Sequence, residues 1–147
     1  MKTLQKLAVL TGLLSLLSAI PMMAQIPQRV TFETSFAFYA GNVRMPAGSY
    51  TVTQPDSMDN LLVIESSDGS HSAFLECEAI TPQEPTRKDP SRRTEVTFKK
   101  YGTTEFLNRV SVQGEDIQFK VSPTKAERNA AKAAAAEEHS LVAKNGN

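Results

Sequence analysis

The sequence predicts an all-β fold: an antiparallel sandwich or small barrel of about seven strands, followed by a C-terminal Ala-rich helix. Three observations carry this. Apolar and polar residues alternate with period two in several short runs. Turn residues, including an Asp-Gly pair, separate those runs. No helical period occurs before residue 122.

The first run is the longest. Val30, Phe32, Thr34, Phe36 and Phe38 fall on one face, and Thr31, Glu33, Ser35, Ala37 and Tyr39 on the other, the pattern of one half-buried strand. Gly41-Asn42 ends it. In the phrase PAGSY, Pro46 fixes φ for a turn, Gly48 relieves the chain, and Tyr50 restarts a strand with Val52. The phrase supplies only Ser49 as a polar side chain, so it reads as a corner rather than a site. Leu61, Leu62, Val63 and Ile64 form the next strand. Asp68-Gly69 then marks a hairpin, because both residues tolerate positive φ. The returning strand covers residues 73–80, with Ala73, Leu75, Cys77 and Ala79 on one face.

A further strand at residues 94–101 puts Val96 and Phe98 on one face, and Gly102 turns it. Residues 106–112 follow, then a turn at 113–116, then Ile117, Phe119 and Val121 on one side of a last strand. Beyond it, Ser122-Pro123 can start a helix, and Thr124 with Glu127 offers a capping box one register later. Residues 125–143 are rich in Ala, Glu, Lys and Arg, all good helix formers. With almost no large apolar residue before Leu141, that helix is expected to project and fray, with 144–147 disordered.

The N-terminus reads as a secretory signal peptide. Lys2 and Lys6 precede the apolar run "LAVLTGLLSLLSAI", which falls short of the ~20 residues needed to span a bilayer. Pro21-Met22-Met23-Ala24 then offers a cleavage site after Ala24. The expected organisation is signal peptide 1–24, β-domain 25–122, and a helical to disordered tail 123–147. The mature chain is expected in the periplasm or the medium. The full chain carries 16 Lys and Arg against 16 Asp and Glu. Loss of Lys2 and Lys6 leaves 14 basic residues against 16 acidic, a net charge of −2 with no field suited to nucleic acid. An integral outer-membrane barrel needs an apolar outward band, whereas the outward positions here hold Glu33, Glu76, Glu78, Lys99 and Arg109.

No chemistry-bearing constellation emerges. Cys77 is the only cysteine, so no internal disulfide can form, and its flanking Glu76 and Glu78 oppose thiolate formation. It reads as a small buried hydrophobe. Asp56, Asp59 and Asn60 offer too few oxygens for calcium. Ser70, His71 and Asp68 are the residue types of a hydrolytic triad, but hairpin neighbours do not align as nucleophile, base and orienter. His139 lies far off in the tail, so a two-histidine metal site is not expected. The chain is expected to be non-enzymatic, with no catalytic, cofactor or metal residues. The segment "TPQEPTRKDPSRR" (81–93) is proline-punctuated and net basic, and Arg87, Lys88, Arg92 and Arg93 are the candidate partner-binding residues.

Three stretches also carry a resemblance. "FAFYAGNVRMPAGSYTV" resembles the F-x-F-x-x-G-x-x-x-[LM]-P-A-G-x-Y-x-V opening of small secreted β-domain proteins found in some environmental bacteria. "VTFKKYGTTEFLNRVSVQG" is similar to that group's Tyr-Gly and Phe-Leu segment, and "VSPTKAERNAAK" to its Ser-x-x-x-Glu-Arg close. The likeness covers roughly residues 30–132, and departs where the group commonly has a Trp and this chain has Val112. It implies secretion and a β-fold. The group has no established activity, so the resemblance adds no catalytic residue. P-A-G-x-Y alone also resembles the exit turn of prealbumin-like β-sandwich modules, where it shapes a corner. Two functions are therefore expected as alternatives. One is an interaction or envelope-associated module with a protein or envelope partner. The other is a carrier whose barrel cavity, lined by Phe32, Phe36, Phe38, Tyr50, Phe98, Phe106 and Phe119, holds an apolar ligand.

Overall fold

A computed structural model describes residues 29–80, 93–114 and 118–146. Eleven strands and one short helix follow in chain order. They are β1 (Arg29–Thr34), β2 (Phe38–Ala40), β3 (Val43–Met45), β4 (Gly48–Thr53), β5 (Leu61–Ser66), β6 (Ser72–Ile80), β7 (Glu95–Tyr101), β8 (Thr104–Ser111), β9 (Gln118–Val121), α1 (Lys125–Ala133), β10 (Ala136–Val142) and β11 (Lys144–Gly146). The all-β expectation holds, but the strands number eleven rather than about seven.

Part of the difference lies in the first run. Its alternation is real, since Val30, Phe32, Thr34 and Phe38 are all buried. The strand nevertheless breaks after Thr34, because the Thr34 hydroxyl accepts from the Phe36 N–H at 3.2 Å and donates to the Phe36 carbonyl at 3.1 Å. A side chain that captures neighbouring backbone groups competes with the ladder. β2 then leaves to pair with β3 and, in parallel, with β8 through Tyr39 and Phe106.

β3, which follows the Gly41-Asn42 break, is a further addition, and two more come from the tail. The helix was expected over 125–143, but it ends at Ala133, and residues 136–146 become two strands. β10 pairs with β7 from Ala136↔Tyr101 to Val142↔Glu95, and β11 pairs with β1 from Lys144↔Thr31 to Gly146↔Arg29. Without this segment, β7 and β1 would present unpaired N–H and C=O groups along their outer edges. Covering two edges outweighs the high intrinsic helix propensity of an alanine run, which is worth under about 1 kcal/mol per residue. The expected frayed end is thus corrected, with His139, Leu141 and Ala143 turned toward the core in alternation.

The sheet is large and mixed, mostly antiparallel, in the order β10-β7-β8-β9-β6-β5-β4-β1-β11. It does not close into a barrel. Its end strands β10 and β11 are successive in the chain and joined through Ala143, whose N–H donates to the Thr94 carbonyl at 2.8 Å. The strand β6 is divided: Ser72–Glu76 pair with β5, and Cys77–Ile80 pair with β9. Strands from along the whole order contribute to one core, which gathers Val52, Ile64 and Leu75 with Val96, Phe98 and Val110. Cys77 is 6 % exposed within it, and burial pushes its thiol pKa up. Ala79 was expected on that inner face but is exposed.

The inward aromatics pack against one another. Phe32, Phe38, Tyr50 and Phe98 have ring centroids 5.2–6.1 Å apart, most of them tilted or edge to face. Phe36 and Phe119 lie at the margin. Phe106, expected among the inward rings, is instead buried outside that cluster, against Tyr39 and Tyr101.

Candidate functional site

The register of β4 against β5 brings together two turns that are distant in sequence. Tyr50 lies opposite Ser66, so the start of β4 and the end of β5 share one end of the sheet. One step further, the Ser67 N–H donates to the Ser49 carbonyl at 2.9 Å, and the Ser67 hydroxyl donates to the same oxygen at 3.1 Å. PAGSY thereby meets the loop Ser67-Asp68-Gly69-Ser70-His71. The two form a concavity of about 260 Å3, walled by Pro46, Ala47 and Gly48 on one side and by Ser66, Asp68, Ser70 and His71 on the other.

The PAGSY side is a braced corner. The Tyr50 ring is 1 % exposed, and its hydroxyl reaches back to donate to the Pro46 carbonyl. One side chain thus ties the core to the turn that precedes its own strand. Burial pushes the Tyr50 hydroxyl pKa above its ordinary value, and the Asp68 charge pushes the same way.

The loop side is organised by Asp68. Its Oδ1 accepts from the Ser66 hydroxyl at 2.6 Å, the Ser70 hydroxyl at 2.7 Å and the Ser70 N–H at 3.0 Å. These bonds, the Ser66 hydroxyl first, hold the carboxyl well below the usual carboxylate range. The carboxylate is therefore ionised at any ordinary pH. The expected hairpin is present, although only Gly69 takes positive φ, at 71°. The Ser66 N–H donates to the His71 carbonyl at 2.8 Å, and the Gly69 N–H to the Ser66 carbonyl at 2.9 Å.

The order of Asp68, Ser70 and His71 decides what they can do. The Ser70 Oγ sits 2.7 Å from Asp68 Oδ1 and 2.7 Å from His71 Nδ1. An ionised carboxylate cannot donate, so the hydroxyl proton lies toward Asp68, and Nδ1 must carry the hydrogen facing Ser70. A hydrolytic relay needs the imidazole to accept the hydroxyl proton. Here the hydroxyl stands in the middle and the imidazole donates to it, so the relay is not formed.

Of the candidate partner-binding residues, Arg87, Lys88 and Arg92 lie outside the described residues, and Arg93 is exposed beside β7. The 55–60 loop is a turn closed by the Met58 N–H to the Pro55 carbonyl at 3.1 Å and by the Gln54 side-chain amide to the Asp59 carbonyl at 2.9 Å. Among the described residues, no group of three His, Cys, Asp or Glu side chains converges as metal ligands.

A second polar pair was not anticipated. Glu105 on β8 is 8 % exposed, and its Oε2 lies 2.8 Å from His139 Nε2 on β10. The His139 ring packs against Phe98 and Phe36 at centroid distances of 5.8 and 5.3 Å. Only the short alternation of His139, Leu141 and Ala143 hinted that this histidine belongs to a strand. Comparison with protein-family models, with curated proteins and with solved structures finds no match.

Proposed function

We propose that this chain is a secreted or periplasmic, non-enzymatic β-sandwich domain that acts as an interaction or envelope-associated module, and that it meets its partner at the PAGSY–loop cleft. The observation that carries this reading is the packing of the inward aromatics. Phe32, Phe38, Tyr50 and Phe98 fill the interior with mutual contacts at 5.2–6.1 Å, so an apolar ligand could enter only if they parted. Recognition then falls to the surface, where the cleft gathers polar groups from two turns around an apolar wall. The sandwich reading draws support from β6 and the C-terminal segment, which each pass from one set of strands to the other. The basic start and apolar run of residues 1–24 support secretion, with cleavage near Ala24; this segment lies outside the described residues.

A photo-crosslinking residue placed at Ser67, and as a control at the exposed Lys132 on α1, tests the reading in secreting cells. A discrete higher-mass adduct is expected from Ser67 and not from Lys132. No adduct at Ser67, or the same adduct from both positions, would contradict it.

A further inference from the structure

The cleft has a chemical bias that follows from where its protons are committed. Four backbone N–H groups of the loop are spent internally. Ser67 N donates to the Ser49 carbonyl and Gly69 N to the Ser66 carbonyl. Ser70 N donates to Asp68 Oδ1, and His71 N donates to the Ser66 hydroxyl at 2.9 Å. The hydroxyl protons of Ser66 and Ser70 go to Asp68, and that of Ser67 goes to the Ser49 carbonyl. An anion needs a concavity of unspent N–H donors, and four of the loop's N–H groups, those of Ser67, Gly69, Ser70 and His71, are committed internally.

What faces outward is acceptor capacity. The three loop donors all converge on Oδ1 of the ionised Asp68, so none of them occupies its second oxygen. With its Nδ1 hydrogen directed at Ser70, a neutral His71 leaves a lone pair on Nε2. No Lys or Arg lines the cleft. A neutral sugar would demand donors as well as acceptors, and the loop's hydroxyls of Ser66, Ser67 and Ser70 are already committed as donors within the protein. The volume also selects. About 260 Å3 falls just below the ~300–1,000 Å3 of drug-sized ligand pockets, so the space suits one side chain or a small amine.

We propose that the cleft binds a protonated amine or guanidinium group, with Asp68 as the anchoring carboxylate, His71 as the second acceptor and Pro46-Ala47 as the apolar wall along the cation's stem. This assignment rests on the cleft being the interaction surface. A charge-assisted contact from a cation to Asp68 supplies most of the selectivity. The Pro46 and Ala47 wall receives the methylene stem that Lys and Arg side chains lay along apolar surface.

The test is an amide-resolved NMR titration of the isolated secreted chain with Nα-acetyl-arginine amide. Methyl glucoside and inorganic phosphate serve as counter-probes. Saturable shifts at Ser67, Gly69, Ser70 and His71 are expected with the arginine derivative and not with the other two. Asp68→Asn retains an Oδ1 acceptor for the loop bonds but removes the charge, and it should weaken binding by about tenfold or more. The mutant spectrum away from the loop must stay unchanged, and His71→Ala gives a milder second loss that does not depend on the Asp68 turn. A short peptide carrying one internal arginine, bound more tightly than agmatine, would assign the cation to a partner's side chain. The reverse order would assign it to a free amine, and both orders uphold the proposal. Shifts that survive Asp68→Asn, or stronger shifts with glucoside or phosphate, would overturn it. Cation binding without a Ser67 crosslink would remove the partner reading alone. A Ser67 crosslink untouched by Asp68→Asn would remove the cation assignment alone.

Discussion

Replacing Tyr50 by Phe isolates the hydroxyl that braces the PAGSY corner. The ring sits 5.7 Å from Phe32 and 5.2 Å from Phe38, and Phe preserves both contacts and nearly all the volume. What is lost is one hydrogen bond to the Pro46 carbonyl, worth about 0.5–1.5 kcal/mol net. Pro46 itself is exposed, so water can take up the vacated acceptor and the cost should sit near 1 kcal/mol. For a domain of this size that corresponds to a Tm drop of about 4 °C. Tyr50→Ala also removes the ring and should cost about 3–5 kcal/mol. Urea unfolding followed by far-UV circular dichroism, with both variants measured beside the parent, gives these differences directly. The pH dependence supplies an independent check. Tyr50 has a pKa raised in the folded state, so its contribution is fully present below the unfolded value near 10 and is lost as pH rises through the folded one. The advantage of Tyr over Phe should therefore shrink in alkali. A Phe variant as stable as the parent at neutral pH, or as damaged as the Ala variant, would refute the claim that the hydroxyl holds the corner.

Other outcomes follow from the same packing. Cys77, buried and with a raised thiol pKa, should resist a thiol-reactive disulfide reagent in the native protein and react at the unfolding rate in mild denaturant. Truncation after Ala135 removes β10 and β11 and bares the edges of β7 and β1. Size-exclusion chromatography should then detect oligomers or aggregate where the full chain elutes discretely. Glu127 is 7 % exposed, and burial raises its carboxyl pKa despite the opposing charges of Lys99 and Arg128. A raised folded pKa favours the protonated form, so its contribution is complete at low pH and is lost as pH rises. Glu127→Gln should therefore be at least as stable as the parent at neutral pH, and the gap should close on acidification.

The strands were legible wherever their signal was local. Val30 and Phe32, and Ala73, Leu75 and Cys77, announce a buried face through alternation alone, and each of these residues is buried. The apolar run 61–64 announces a strand but not which of its residues, Leu62 and Ile64, face inward. Two kinds of feature were not legible: a strand interrupted by one side chain's own backbone bonds, and features set by partners far along the chain. The break after Thr34 depends on one hydroxyl turning to its own backbone. The helix stops at Ala133 because two distant edges need covering, and nothing in an alanine run encodes that demand. The candidate site is the sharpest case. PAGSY taken alone offers only Ser49, and Asp68 to His71 taken alone is a hairpin tip. Their meeting depends on the Tyr50↔Ser66 register, which a single sequence does not reveal. The corner and the site are the same place, because the turn supplies an apolar wall and the neighbouring loop supplies the polar groups.

The account turns on whether this protein binds at its surface or within its core. Native mass spectrometry of the chain isolated under native conditions from the cells that produce it or from their medium, compared with the mass after denaturation, addresses that most directly. With the interior occupied by Phe32, Phe38, Tyr50 and Phe98, the native and denatured masses of each subunit should agree. Added mass from an apolar small molecule, retained in the native state and lost on denaturation, would mean that the aromatic core opens to hold a ligand, and would contradict the account.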